Sequence, residues 1–355
     1  MGKPRICAVV VTFNRRELLL KCLEALRRQT YPLDAIFIVD GPSTDGTPEA
    51  LLEYGYIKEL PPKKGSLSWE TTNSIYGRDK ANIEVHYVRL YSDVGGSGEF
   101  HEGIKKAYVR GCDWIWLMDD DAEPKEDALE KLTCYLNLPN AIALSCLKID
   151  ENGNVIYPHI GYLQFEHVIK HHIIKPISDS NYRGREFVEI DFSSFVGLLL
   201  NSRAVKNIGL PDKRFFITQD DVEYCIRLNL RNVGKIYLIP KSVITHKESL
   251  KKKDLIEKRF LGRRFYRIPY NKLWKTYYGL RNFIYLGRIY SKNQITFISE
   301  LLSWYIKSII KIIIFDDFKI KRIWFLTSAV TDGLKGVFDN EKPRRILYGE
   351  YRLVR

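Results

Sequence analysis

The stretch Trp114-Ile115-Trp116-Leu117-Met118-Asp119-Asp120-Asp121-Ala122-Glu123-Pro124 joins an apolar run to three consecutive carboxylates. A short apolar run that ends in a polar cluster reads as a strand buried on both faces, as in parallel sheets covered by helices. The acids then stand at the strand's carboxyl end, the edge where open parallel sheets bind ligands. Three adjacent carboxylates make a hard, oxygen-rich site suited to Mg²⁺ or Mn²⁺, which keep coordination positions for substrate phosphates. Taken alone, an acidic triplet is more often a solvated turn or a first helical turn, where negative charge is favoured and a proline such as Pro124 is tolerated. The rest of the chain decides between these readings.

Four other β-branched runs, Ile6 to Phe13, Ala35 to Val39, Glu84 to Arg89 and Ala141 to Leu147, alternate with helical patterns. That alternation predicts successive β-α-β units and a mostly parallel sheet. Arg16 to Gln29 places Leu19, Cys22, Leu23 and Leu26 on one helical face, with Asn14 as N-cap and Pro32 past the end. A second helix is expected from about Thr47, capped by Ser43 or Thr44. Pro61 to Lys80, rich in Pro, Lys, Ser and Thr, reads as an exposed insertion loop, and Asp220 to Arg231 and Lys235 to Ile239 as a helix and a strand.

Each early strand is followed by residues suited to a phosphorylated ligand. Thr12-Phe13-Asn14 follows the first, Asp40-Gly41-Pro42-Ser43 the second, and Ser92-Asp93-Val94-Gly95-Gly96-Ser97-Gly98 the third. Asp40 is placed to accept hydrogen bonds from a base or ribose. Gly95 and Gly96, ahead of a helix, offer backbone N–H groups to a diphosphate or sugar. The dinucleotide fingerprint needs Gly where this chain has His101, and the lysine and hydroxyl ending of a Walker loop is missing. Asp220 and Asp221 at a helix start cannot point the same way, so one is free to enter a cleft as a base while the other caps or pairs with a cation. His246 is either a ligand beside the triplet or a satisfied core histidine. His159, His167, His171 and His172 lack ligand spacing on any one element and read as surface.

VVVTFNR, IVDGPSTDGT, DVGGSGEFHEG, WIWLMDDDAEP and QDDVEYCIRL followed by His246 form an ordered set over about residues 5 to 247. The set resembles the inverting family 2 glycosyltransferases of GT-A fold, and within them the galactofuranosyl- and rhamnosyltransferase branch. Tyr277-Tyr278-Gly279-Leu280-Arg281-Asn282 resembles a motif that follows the catalytic domain in that branch. The resemblance implies that Thr12, Asn14 and Asp40, with Asp93, Asp120 and the Gly95-Gly96 backbone, hold a UDP- or dTDP-linked sugar. It implies Asp119 and Asp121 as the metal-binding pair, completed by His246, with Mn²⁺ or Mg²⁺ as cofactor. It makes Asp221 the general base beside Asp220. Asp93 and Glu99 depart from the branch, which commonly shows Asn and Gly there.

At about 150 residues per domain, 355 residues give two domains. Residues 1 to 240 hold 30 Lys+Arg against 33 Asp+Glu, and residues 241 to 355 hold 26 against 10, so the whole basic excess sits in the last third. That distribution, without a recognised nucleic-acid motif, argues against a nucleic-acid binder. VVVTFNRRE lacks the glycines of a nucleotidyltransferase triphosphate loop. Six cysteines without a C-x-x-C pair argue against a zinc site or a stapled secreted fold and for a reducing cytosol. The first apolar run is short and reads as a strand rather than a signal peptide.

A membrane span needs about 20 apolar residues. Within 295 to 315, Ser299, Glu300, Ser303, Lys307 and Lys311 recur as one helical stripe, with Ile298, Leu301, Leu302, Tyr305, Ile309, Ile312 and Ile313 on or near the other face. The pattern predicts an amphipathic helix rather than a span. A second apolar piece, Ile323 to Val330, follows Lys319-Ile320-Lys321-Arg322, and Lys251 to Lys253, Arg263-Arg264 and Arg344-Arg345 add charge. The expected partner is an anionic leaflet at the cytoplasmic face of the membrane, with a helical subdomain or homo-oligomer interface as the alternative. The expected fold class is therefore α/β: a Rossmann-like, mostly parallel GT-A sheet over 1–250, then a basic amphipathic α-helical region over 251–355. The expected function is metal-dependent, inverting transfer of galactofuranose or rhamnose from a nucleotide sugar to a hydroxyl of a growing, lipid-linked cell-surface glycan, with another hexosyl donor, or a catalytically inactive glycan- or nucleotide-binding relative, as the alternatives.

Overall fold

The computed structural model describes residues 2–66, 68–247, 255–260 and 263–349. The expected boundary near residue 250 and the Lys251 to Lys253 run lie outside the described residues. The chain divides into two compact units. One comprises Met1–Tyr162, Pro176–Lys213 and Asp220–Glu248, the other Leu163–Lys175, Arg214–Gln219 and Ser249–Arg355.

In the first unit β1 (Ile6–Thr12), β2 (Ala35–Asp40), β3 (Ser68–Tyr76), β4 (Asn82–Leu90), β5 (Trp114–Asp119), β6 (Ala122–Pro124) and β7 (Ala141–Ile149) come first. Short strands β8 (Ile160–Leu163), β10 (Val188–Ile190) and β11 (Phe192–Ser193) precede β12 (Leu198–Asn201) and β13 (Lys235–His246), whereas most of β9 (Ile174–Pro176) and the last residue of β8 belong to the other unit. The large sheet runs β10-β13-β7-β12-β5-β1-β2-β4-β3, with β6 attached to β13. The β1, β2, β4 and β5 core is parallel, and β12 is the antiparallel insert between β5 and β7. Every side chain of β1 and β2 is buried. Helix α1 (Arg16–Arg27) covers one face with Leu19, Cys22, Leu23 and Leu26, and each fully buried aliphatic contributes about 1.5–3 kcal/mol. On the other face α3 (Gly95–Val109) lies close enough that a Cβ at Gly103 would stand 2.4 Å from Val9 Cγ1, so glycine sets the approach. α2 (Thr47–Glu53), α4 (Ala128–Thr133), α6 (Asp179–Tyr182), α7 (Ser202–Ile208) and α8 (Asp220–Leu230) complete this unit, and α5 (Val168–His171) belongs to the other.

Four local expectations are corrected. Within Pro61 to Lys80 the chain forms β3, an edge strand whose residues alternate in exposure, so its Ser and Thr mark a half-exposed strand rather than a loop. Pro124 ends β6, which pairs with β13, and the next helix begins at Ala128. Arg15, not Asn14, precedes α1, and Asp45 rather than Ser43 or Thr44 receives the Thr47 N–H at the start of α2. Cys7 and Cys112, 105 residues apart, form a disulfide that the spacing of the cysteines does not announce.

The second unit holds a hairpin, β14 (Ile256–Phe260) and β15 (Arg263–Arg267), and helices α9 (Trp274–Tyr290), α10 (Gln294–Phe315), α11 (Lys319–Lys335) and α12 (Lys342–Tyr348). Its core gathers Tyr270, Leu273, Tyr277, Phe325, Ala329, Ile346 and Leu347. The Tyr277 hydroxyl donates to Asp332 Oδ2 at 2.6 Å, fixing α9 to α11. The α10 faces differ from the expected pair. Leu301 and Ile312 are buried, whereas Ile295, Ile298, Leu302, Ile306, Ile310, Ile313 and Ile314 are exposed beside Ser299, Ser303, Lys307 and Lys311. No described helix is long and apolar enough to cross a membrane.

Candidate active site

Strand register builds the site. Thr12 pairs with Asp40, and Val11 with Asp119, so the residues that end β1, β2 and β5 emerge level along one edge. The short β6 doubles back on β13 and sets His246 opposite Ala122, one residue beyond Asp121. His246 Nε2 therefore stands 3.0 Å from Asp121 Oδ1. One ligand atom each from Asp119, Asp121 and His246 lies within 4.8 Å of the others. The three come from a strand end, a turn and a second strand; backbone pairing sets their places, and the His246–Asp121 contact links two of them.

The third acid faces differently. Asp120 Oδ2 accepts from the Thr12 hydroxyl at 2.8 Å, and Arg15 Nη1 bridges Asp120 Oδ1 at 3.1 Å and Asp121 Oδ2 at 3.0 Å. Burial raises the pKa of Asp119, and the charge of Asp121 adds to the rise. Burial also lifts Asp120, to about 6. For Asp121 burial is outweighed by His246 and Arg15, and its pKa falls below the usual carboxylate value. The triplet thus holds more negative charge than one arginine offsets, a setting that favours an added cation or a proton.

Asp220 and Asp221 begin α8. Asp221 Oδ1 accepts from the Val222 N–H at 2.7 Å, which anchors one oxygen at the helix start. Burial first, and then the charge of Asp220, raise the Asp221 pKa, with Asp119 contributing in the same direction. A carboxylate that ionises reluctantly is suited to take up a proton. His159, expected at the surface, is half-buried instead. Its ring packs 5.2 Å from that of His246 and its Nδ1 shares a 2.8 Å hydrogen bond with Ser194 Oγ. Burial and His246 push its pKa down to about 3, so it stays neutral. His167, His171 and His172 are exposed. Behind the site the fully buried Lys148 donates to Ser145 Oγ at 2.7 Å and Ser193 Oγ at 2.6 Å, and burial lowers its pKa to about 8.

The remaining candidates shape the edge. Asp40 is fully buried, and its Oδ2 accepts from the Tyr87 hydroxyl at 2.6 Å and from Arg89 Nη1. Arg89 stands opposite Asp40 in the β2–β4 register and also donates to the Gly41 and Ser43 carbonyls. Asn14 adopts a positive φ of 56°, its Oδ1 accepts from Thr44 N at 2.6 Å, and its N–H donates to Ser43 Oγ at 2.8 Å. Asn14 thereby stitches the first two loops together. Asp93 Oδ1 accepts from Gly95 N at 3.1 Å, and nothing lies within 4 Å of where a Gly96 Cβ would be, leaving that backbone open. Glu99 is buried behind Gly41, and burial with the charges of Asp40, Asp93 and the triplet raises its pKa well above normal. Arg15, Tyr87, Arg89, Lys148 and His159 are the site residues that sequence reasoning missed.

Residues 7–64 match the family model described as "Glycosyl transferase family 2", and residues 71–261 match "Glycosyltransferase like family 2", more than half of the chain. The chain belongs to glycosyltransferase family 2. A galactofuranosyltransferase of Mycolicibacterium smegmatis, GlfT1, is 28% identical over 228 residues, which cover 63% of this chain and 65% of the relative. The dTDP-rhamnosyl transferase RfbF of Shigella flexneri is 24% identical over 172 residues, covering 48% and 55%. Among solved structures, the mannosyltransferase PcManGT of Pyrobaculum calidifontis, in complex with GDP-Man and Mn²⁺, superposes with a TM-score of 0.50 at 15% identity, covering 94% of this chain and 75% of that one. The likeness supports the same GT-A fold, and this family 2 member carries its acidic cluster at the strand edge where that fold binds ligands.

Proposed function

We propose that this chain transfers a sugar from a nucleoside-diphosphate donor to an acceptor hydroxyl, with inversion at the anomeric carbon and with the help of a divalent metal. The observation that carries the reading is the convergence of Asp119, Asp121 and His246 within 4.8 Å, beside an Asp221 whose pKa is raised. The two carboxylates fit Mn²⁺ or Mg²⁺, which keep positions for phosphate oxygens, and the imidazole nitrogen, a poor partner for Mg²⁺, favours Mn²⁺ of the two. When bound, the ion supplies positive charge against the leaving diphosphate.

The chain's own residues do the rest. The open Gly96 backbone at the start of α3 donates its N–H to the diphosphate, while the Gly95 N–H is held by Asp93. Arg15 holds the ligand carboxylate of Asp121 in orientation and, with Thr12, fixes Asp120 beside it. Asp221 accepts the proton of the acceptor hydroxyl as its oxygen attacks the anomeric carbon from the side opposite the diphosphate. No covalent sugar–protein intermediate is required. Asp40, held by Tyr87 and Arg89, fixes the loop against which the nucleotide base and ribose lie.

The relatives are named for galactofuranose and dTDP-rhamnose transfer, so these sugars are the first donors to try, with UDP or dTDP as the nucleotide. The acceptor proposed is a lipid-linked glycan, and the α10 aliphatics with their flanking lysines are the surface proposed to meet an anionic leaflet. Donor hydrolysis with UDP-galactofuranose and dTDP-rhamnose, with and without Mn²⁺, tests the chemistry. Metal-independent turnover, or none with any nucleotide sugar that UDP or dTDP melting shifts point to, defeats it. Co-sedimentation with anionic vesicles at low salt tests the surface, and absence of binding defeats that part.

A further inference from the structure

The second unit contains a cavity of about 620 Å³ that the transfer chemistry leaves unused. Its volume falls within the roughly 300–1,000 Å³ of small-molecule sites. Leu280 and Phe283 of α9, Leu301 and Trp304 of α10, and Phe325 and Leu326 of α11 give it an apolar wall. Its charged lining is Arg267, Lys311 and Arg322 against Asp316 alone. Arg267 donates to Asp316 Oδ1 at 2.7 Å and Arg322 to Asp317 Oδ1 at 2.9 Å. Lys311 is exposed and has no carboxylate partner among the described residues. With both arginines paired to carboxylates, Lys311 supplies the net positive charge of the rim, while the wall is hydrocarbon-like.

Two further facts narrow the occupant. One face of α10 lines the cavity, and the neighbouring face is the exposed row of aliphatics, so a single helix serves both surfaces. Thr218 and Gln219 also line the cavity, and the next residues in the chain are Asp220 and Asp221. The Tyr277 to Asn282 motif holds that wall in place. Asn282 Nδ2 donates to the carbonyls of Phe215, Ile217 and Thr218 at 2.9–3.0 Å, and Arg281 Nη2 donates to that of Phe215 at 3.0 Å.

We propose that this cavity holds the hydrocarbon tail of a phosphate-headed lipid, the carrier of the acceptor glycan, with Lys311 at the head group. The proposal rests on the lipid-linked acceptor above and adds to it a seat for the tail. The full chain is titrated calorimetrically with farnesyl phosphate, dodecyl phosphate, farnesol and inorganic phosphate. Saturable 1:1 binding of one or both alkyl phosphates is expected, with inorganic phosphate at least tenfold weaker. The tighter of the two assigns an isoprenoid or an acyl tail. Lys311→Glu, a surface change, is expected to weaken the alkyl phosphates about tenfold while leaving farnesol unchanged. Ser308→Trp, which fills the cavity, is expected to abolish binding of farnesol and the phosphates alike, with a melting curve to verify folding. Vesicle binding and sugar transfer without saturable alkyl phosphate binding would overturn the cavity and leave the membrane reading standing. Loss of vesicle binding as well would remove the reading beneath it.

Discussion

In the first unit Asp40, Glu99, Asp120, Asp121 and Asp220 are buried together at one edge of a sheet, facing few cations. In the second, Lys307, Lys311, Lys319 and Lys321 stand in water beside exposed isoleucines. The contrast separates two uses of charge. Buried acids titrate abnormally and recruit a counter-charge of defined geometry, which is what bond chemistry needs. Exposed cations next to apolar side chains cannot hold one partner in a fixed pose, but their attractions sum over a broad anionic surface. The net charge of +13 is thus an average over two unlike surfaces.

The largest effect that would break the comparison lies at Asp221. Asp221→Asn is expected to lower the rate of transfer by about 10³-fold or more, at the upper end of general-base contributions, while donor binding followed by thermal shift is retained. Turnover within tenfold of the wild type would move the base to Asp220. Next comes Lys148, a cation buried on the acidic side of the comparison. Its folded pKa of about 8 lies below the ordinary 10.5, so the folded state sheds the proton before the unfolded state does. Stability carries the full penalty below pH 8 and rises between pH 8 and 10.5. Against a Lys148→Met variant, urea unfolding should show the wild type gaining about 3 kcal/mol over that window. A pH-independent difference would mean that the amine is solvated. The third effect is on the other side. Leu302→Glu with Ile306→Glu is expected to weaken anionic-vesicle binding about a hundredfold without altering transfer to a soluble acceptor, since both side chains are exposed. Unchanged partition would return the α10 face to a protein partner.

How much of this was written in the sequence follows from the range of the interactions. The strand-end acids were legible because a buried strand announces its own end, and residues on either side of that end are local. His246 was legible only as an alternative, since its meeting with Asp121 depends on β6 folding back on β13. Arg89 and Tyr87 reach Asp40 through the β2–β4 register, and His159 reaches His246 through a fold of the chain that no spacing encodes. The β3 strand was hidden because an edge strand tolerates the Ser and Thr that also mark loops. On α10 the sequence located the polar stripe, but which apolar flank would be covered depends on α9 and α11, and the exposed one proved to be the broader.

The smallest effect is the most discriminating for the acidic cluster. If Asp221 is the base, transfer falls as pH drops through its pKa, because only the ionised carboxylate accepts the proton. Burial places that pKa above the ordinary carboxylate value, and the charge of Asp220 raises it further. Asp220→Asn removes the second cause and leaves the first, so the acid limb of the rate profile should move to lower pH by a fraction of a unit to about one unit. The same change made in the exposed charges of the second unit, Lys307→Gln for example, should leave that limb where it is, because solvent and salt screen such charges over about 10 Å. An Asp220→Asn profile that moves to higher pH would mean that Asp220 supports the ionised base rather than opposing it. A limb that moves equally in both variants would mean that it reports the net charge of the protein, and the division into a titrating cleft and a screened surface would fail.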